Sequence, residues 1–202
     1  MPFGKLHTLY NINMKILTTI IAVILLTFAA KAQTTRAAKA QFSIGIDAGI
    51  ATAGIKETNS VMLGVSLQAG IPIAKELQFT IGTGFQNYFG KSLALNLQDA
   101  PSSYKTPSVQ IVPLKAGLKY FLEPNFYIQG EAGAAFLLNK SAFSGDKSVA
   151  FTYAPQIGVL CPVNTNGNFI DIGIRYEATR KFNADYENSR VSLVGLRVAY
   201  GF

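Results

Sequence analysis

Eight charged residues each interrupt a segment that is otherwise apolar or small: Asp47, Glu131, Asp171 and Glu177, and Lys115, Lys119, Arg175 and Arg197. Two carboxylates held near each other can divide general-acid and general-base work, and Asp171 with Glu177 is the pair to weigh. Arg175 and Arg197 stand on the same kind of segment, so ion pairing in an interior accounts for these carboxylates more simply than catalysis does. The only histidine is His7, upstream of a segment expected to be removed. Without it a serine or cysteine nucleophile lacks its usual base. The single Cys161 allows no internal disulfide, completes no zinc site, and reads as packing. Asp185, Glu187 and Asn188 could hold calcium weakly, but a solvated acidic loop explains them. Gly82-Thr83-Gly84 is no phosphate loop, because no helix follows it. No catalytic, cofactor-binding or metal-ligating residue is expected.

The elements that position the charges begin well inside the chain. Met14-Lys15, the apolar run 16–29 and then Ala30-Lys31-Ala32 have the form of a secretory signal peptide. Translation is read from Met14 and cleavage after Ala32, with Gln33 as the mature start. The run is shorter than the ~20 residues of a spanning helix, and no Cys follows to carry a lipid anchor. Three parts result: an extension and signal peptide over 1–32, a short periplasmic segment over 33–40, and one domain over 41–202. Losing Lys5, Lys15 and Lys31 takes the net charge from +7 to +4. That excess is scattered and forms no stripe, so nucleic acid is not an expected partner.

The domain divides into eight alternating segments, at 41–51, 61–73, 77–89, 108–121, 126–138, 149–163, 169–177 and 191–202. One face of each carries no charge: Phe42, Ile44, Ile46, Ala48 and Ile50 in the first, Val194, Leu196, Val198, Tyr200 and Phe202 in the last. The other face holds all eight charged residues above, with Ser66, Gln68, Gln78, Gln86 and many glycines. A basic residue facing mid-bilayer lipid costs about 2–4 kcal/mol, so an uncharged face on every strand is the mark of a lipid-facing wall. A soluble barrel has the reverse arrangement. The pattern therefore predicts an all-β fold: an eight-stranded antiparallel up-and-down transmembrane β-barrel, closed because the bilayer offers no partner to an open edge. Its interior is just wide enough to be filled by side chains, and the eight charges are expected to form an ionic cluster there.

Short connections at 72–76, 123–125 and 164–167 alternate with longer ones at 52–60, 90–107, 139–148 and 178–190, which places both termini in the periplasm. Aromatics near strand ends form two expected girdles, one with Phe42, Phe79, Tyr120, Phe126, Tyr200 and Phe202, the other with Phe85, Phe136, Tyr153 and Tyr176. Pro113 and Pro155 each remove a ladder hydrogen bond, so bulges or strand ends are expected at both.

The closing Tyr200-Gly201-Phe202, the leader ending Ala30-Lys31-Ala32-Gln33 and the run Ile111-Val112-Pro113-Leu114-Lys115-Ala116-Gly117-Leu118-Lys119-Tyr120-Phe121 resemble the outer-membrane β-barrel family common in Bacteroidota. That group includes PorT-like proteins and shares its architecture with eight-stranded barrels of the OmpA and OmpX type. The resemblance implies the outer membrane of a Gram-negative bacterium, lipid and the barrel assembly machinery as partners, and Tyr200 and Phe202 as an assembly signal. It implies no cofactor. PorT-like members are associated with protein secretion across the outer membrane. Outer-membrane hydrolases of similar architecture use a histidine that the mature chain lacks. The expected function is non-enzymatic, with the outer loops as the candidate interaction surface. The loop 90–107, with Leu93, Leu95, Leu97 and Tyr104 and few charges, either covers the barrel mouth, the more economical reading, or meets an unidentified protein partner. The alternative of a secreted lipocalin-like barrel would need an apolar interior.

Overall fold

The computed structural model describes residues 40–97, 100–139, 148–183 and 189–202. The expected signal peptide, residues 33–39 of the periplasmic segment, and Asp185, Glu187 and Asn188 lie outside them. Ten strands occur among the described residues: β1 (Gln41–Gly54), β2 (Asn59–Ala74), β3 (Leu77–Gly90), β4 (Ser92–Leu97), β5 (Ala100–Lys105), β6 (Val109–Phe121), β7 (Phe126–Leu137), β8 (Val149–Pro162), β9 (Phe169–Thr179) and β10 (Val191–Gly201). Eight close into a barrel in the order β1-β2-β3-β6-β7-β8-β9-β10, with β10 returning to β1. Residues 39–72 and 76–202 make up this compact unit. Antiparallel ladders join β1 to both β2 and β10, β3 to β6, and each strand from β6 to β10 to the next. The seam closes through the last residue: Phe42 N–H donates to Phe202 O at 2.9 Å and Phe202 N–H to Phe42 O at 2.8 Å.

Alternation governs what each strand buries. Along β8 every second residue from Val149 to Cys161 is exposed and the ones between are buried. Ile46 is 67% exposed while its neighbour Asp47 is 2% exposed. A one-residue slip would invert every such choice, so the uncharged outer face fixes the register.

Three expectations need correction. Residues 90–107 are not simply a loop, because β4 and β5 pair as a separate two-stranded sheet, with Leu93 opposite Tyr104 and Leu95 opposite Ser102. The alternation of Leu93, Leu95 and Leu97 is the strand signal in this stretch. Pro113 and Pro155 neither end nor bulge their strands. On one side each keeps its partner, Ala135 and Gly130. On the other the ladder lapses and resumes in the same register, from Thr83↔Leu114 to Gln86↔Ile111 and from Tyr153↔Ala178 to Gln156↔Arg175. A missing N–H costs one link, and the flanking pairs hold the strand. The register shift instead falls in β1 between Ala51 and Ala53. It carries β1 on to Gly54, so the first long connection shrinks to a 3₁₀ turn at Ile55–Glu57. Gly54 is required there: its φ is +69° and a Cβ would lie 1.9 Å from Arg190 O.

The third correction concerns the interior, which is not uniformly polar. At the end carrying the longer connections, Met62, Tyr88, Ile111, Leu137 and Leu193 pack with Ile55 and Phe182 into an apolar layer. At the other end Tyr127, Leu160 and Phe169 form a smaller one, with Phe121 against it. Inward positions close to a barrel mouth would otherwise wet the interior, and large apolar side chains seal it.

Candidate functional site: a buried ionic network

Strand pairing brings all eight charged residues between the two apolar layers. Asp47 comes from β1, Lys115 and Lys119 from β6, Glu131 from β7, Asp171, Arg175 and Glu177 from β9, and Arg197 from β10. None is more than 6% exposed. They form two groups of contacts.

The first group is built on Asp171. Its Oδ2 accepts from Arg197 Nη1 at 3.0 Å and Lys119 Nζ at 3.2 Å, and its Oδ1 from the Tyr127 hydroxyl at 2.5 Å. Arg197 spends its other donors on Ser66 Oγ at 3.1 Å and Ser43 Oγ at 3.0 Å. Lys119 Nζ also lies 4.1 Å from the centre of the Tyr127 ring, a cation–π contact strengthened by exclusion of water. Gln156 Nε2 donates to the Tyr127 hydroxyl at 2.5 Å. Gly173 leaves the space for this chain, since a Cβ there would stand 2.6 Å from Gln156 Nε2.

The second group is built on Glu177 and Asp47. Lys115 Nζ lies 2.6 Å from Glu177 Oε2 and 3.6 Å from Glu131 Oε2. Arg175 bridges Asp47 Oδ1 at 2.7 Å and Glu177 Oε2 at 3.5 Å. Gln86 donates to Glu177 Oε1 at 3.1 Å, Gln68 donates to Glu131 Oε1 at 2.9 Å, and the Tyr88 hydroxyl donates to Gln86 Oε1 at 3.2 Å. Asp171 and Glu177, weighed above as an acid–base pair, thus belong to different groups. Each is saturated by cations and neutral donors.

Between the groups remains a cavity of about 20 Å³, lined among others by Asp47, Gln68, Glu131, Arg175 and Arg197. That is room for about one water molecule and for no substrate. Thr80 Oγ1 and both polar atoms of Gln129 are buried with no hydrogen-bond partner in the protein, and they mark where further water would be held. No cluster of potential metal ligands occurs among the described residues. Cys161 is exposed on the outer wall.

Sequence reasoning did not single out Ser43, Tyr88, Tyr127 or Gln156. The signal was available: Ser43 and Tyr127 share the inward parity of Asp47 and Glu131 on their own strands, Tyr88 shares that of Gln86 on β3, and Gln156 lies opposite the outward row of β8. Tyr200 and Phe202 lie on the outer face at the seam, where their rings are 6.4 Å apart. Phe202 also stands 6.4 Å from Phe42, and Asn168 Nδ2 donates to the Tyr200 hydroxyl at 2.5 Å.

A wall of exposed isoleucine, leucine, valine and phenylalanine around a core of paired charge is the inverse of a water-soluble barrel. This is a membrane-spanning β-barrel. Residues 20–202 match the model of the outer membrane protein beta-barrel domain, and the chain belongs to that family of outer-membrane proteins. No curated protein matched the chain. Similar solved structures include the neisserial surface protein A (NspA), 17% identical, covering 83% of this chain and 97% of that one with a TM-score of 0.49. Another is Ail, the attachment invasion locus protein of Yersinia pestis, in complex with the heparin analogue sucrose octasulfate: 13% identical, covering 81% and 97%, TM-score 0.45. A third is the outer membrane protein OprG of Pseudomonas aeruginosa, 10% identical, covering 83% and 98%, TM-score 0.46.

Proposed function

We propose that this is a non-enzymatic, side-chain-filled barrel that anchors an interaction surface in the outer membrane. Both termini face the periplasm and the long connections face outward. The observation that carries the reading is the interior among the described residues: charges pair under two apolar layers, and the cavity between the two ionic groups holds about 20 Å³, too small for a reacting substrate. The sequence after Gln33 contains no histidine, which leaves hydrolytic chemistry of the usual outer-membrane kind without its base. The surface offered to a partner is the end with the longer connections, where the β4–β5 sheet stands. It is tied down by Lys91 N–H to Thr58 O at 2.7 Å and Thr106 Oγ1 to Thr58 O at 2.6 Å.

Purified protein in planar bilayers is expected to give little or no steady conductance. Large, stable single-channel steps would overturn the filled-barrel reading and put transport in its place. Pull-down from native outer membranes, with residues 90–107 deleted in the control, tests the interaction surface.

A PorT-like accessory role in secretion across the outer membrane is the second reading. It rests on the resemblance of the run 111–121 and of the closing Tyr200-Gly201-Phe202, and no contact among the described residues of the barrel singles it out. A deletion strain that exports its outer-membrane-crossing proteins normally would remove it.

A further inference from the structure

Gly130 faces outward in the middle of β7, and a Cβ built there would meet nothing within 4 Å. No turn, close approach or positive φ requires a glycine at this position. Glycine weakens a strand interior, and where it persists without such a cause it often marks the approach of a ligand. Gly130 and Pro155 form the low floor of a groove of about 520 Å³ on the lipid-facing wall, bounded by Leu118, Tyr120, Ile157 and Tyr176. Register explains its shape. The row Leu118–Gly130–Pro155 is shallow at its middle, and the row Tyr120–Ile128–Ile157–Ile174 beside it is continuous. Four strands at a spacing of about 4.8 Å make the groove roughly 14 Å across. On its short-turn side the Tyr120 hydroxyl donates to Glu76 Oε2 at 3.2 Å.

We propose that this groove is a retention site for one acyl chain of a phospholipid in the periplasmic leaflet. The leaflet rests on the orientation given under the proposed function; the occupant does not. The groove lies in a wall that the family places in the membrane, so hydrocarbon is what reaches it. A second copy of the barrel is a poor occupant. A two-fold axis through the patch would set groove against groove and double the unfilled space, where packed atoms should be. A flexible chain fills it without such a constraint. A second groove of about 530 Å³ lies around Ala69 and Thr83, between Leu67, Ile81, Leu114 and Phe202. It serves as an internal comparison.

The test uses the mature protein extracted in mild detergent from vesicles of palmitoyl-oleoyl phosphatidylethanolamine and phosphatidylglycerol, with or without lipid A, and weighed by native mass spectrometry. Wild type should retain phospholipid. Gly130→Ala, Gly130→Val and Gly130→Leu, which fill the groove stepwise, should lose it progressively, by at least about threefold at Leu. Each variant is scored only as heat-modifiable, folded barrel, and the graded series covers the case in which Leu alone fails to fold. Ala69→Leu should leave this loss pattern unchanged. Equal retention by wild type and all three Gly130 variants would overturn the proposal. So would retention of lipid A alone, or a wild-type dimer that the variants dissociate. Orientation is read separately, by protease access to residues 90–107 in intact cells, so its failure moves the leaflet and leaves the groove's occupant standing.

Discussion

Replacing Asp171 with Asn keeps the side chain's shape and removes the one carboxylate on which the first ionic group is built. Lys119 at 3.2 Å and Arg197 at 3.0 Å then face a neutral amide in a region from which water is excluded. Breaking a buried ion pair by removing one partner costs about 3–5 kcal/mol, because an uncompensated charge stays behind. Arg197 keeps its hydrogen bonds to Ser43 and Ser66 and Lys119 keeps the Tyr127 ring, so the low end, about 3 kcal/mol, is expected. That is about two decades in the folded-to-unfolded ratio. The assay is reversible urea unfolding of barrel in lipid vesicles, with heat-modifiable gel migration as the folded signal. The comparison is Glu57→Gln, which breaks the 3.7 Å pair with Lys56 at 76% and 55% side-chain exposure and should not move the midpoint measurably. Adding Lys119→Met to Asp171→Asn should restore part of the loss, since it removes one of the two stranded cations. If Asp171→Asn shifts the midpoint no further than Glu57→Gln does, buried charge pairing is not what holds this interior together.

Unboiled and boiled samples should migrate differently in detergent gels, since the strand hydrogen bonds of a closed barrel are internal; identical migration together with release by carbonate would contradict a membrane-spanning barrel. Phe202→Ala keeps both backbone bonds at the seam and loses only the ring. It should therefore lower the amount of assembled barrel, read by membrane fractionation, more than the stability of what does assemble. Gly54→Ala meets both a positive φ and the Arg190 carbonyl at 1.9 Å and should cost about 1–3 kcal/mol. An unchanged urea midpoint would show that the β1 turn relaxes freely.

The barrel was legible because one rule runs through every strand: where Ile44, Ile46, Ala48 and Ile50 face lipid, Asp47 must face in. The strand ends were less legible. Met62, Tyr88, Ile111, Leu137 and Leu193 obey the same parity, but their apolar character hides them in an alternation sought through polar residues. The bulge after Ala51 could not be read, because Ala-Thr-Ala carries no turn chemistry. Nor does sequence spacing say which charges meet. Asp171 and Glu177 lie six residues apart on one strand and join different groups, while Asp47 and Arg175, far apart in sequence, bond at 2.7 Å. Closure of the sheet makes those pairings, and one strand's pattern does not contain it.

The division into two groups is itself an electrostatic argument. Around Asp171 there are two bases to one acid; around Glu177 there are three acids, Asp47, Glu131 and Glu177, to the two bases Lys115 and Arg175. Neither group is neutral alone, and a lone buried charge is expensive. They meet at Asp47 and Arg197, opposite each other across the β1–β10 seam, with the small cavity beside them. Excess base and excess acid therefore balance across the place where the barrel closes. Closure and charge neutrality are linked: a barrel left open between β1 and β10 carries Asp47 away from Arg175 and Arg197, and the excess positive charge around Asp171 is left without its balance. Arg197 reaches from β10 to Ser43 on β1 and Ser66 on β2, so it spans the seam, as Arg175 does from β9 to Asp47. Arg197→Met should therefore slow assembly more than Lys115→Met, which removes an equal charge away from the seam. Equal effects of the two on the rate at which heat-modifiable barrel forms in vesicles would refute the link.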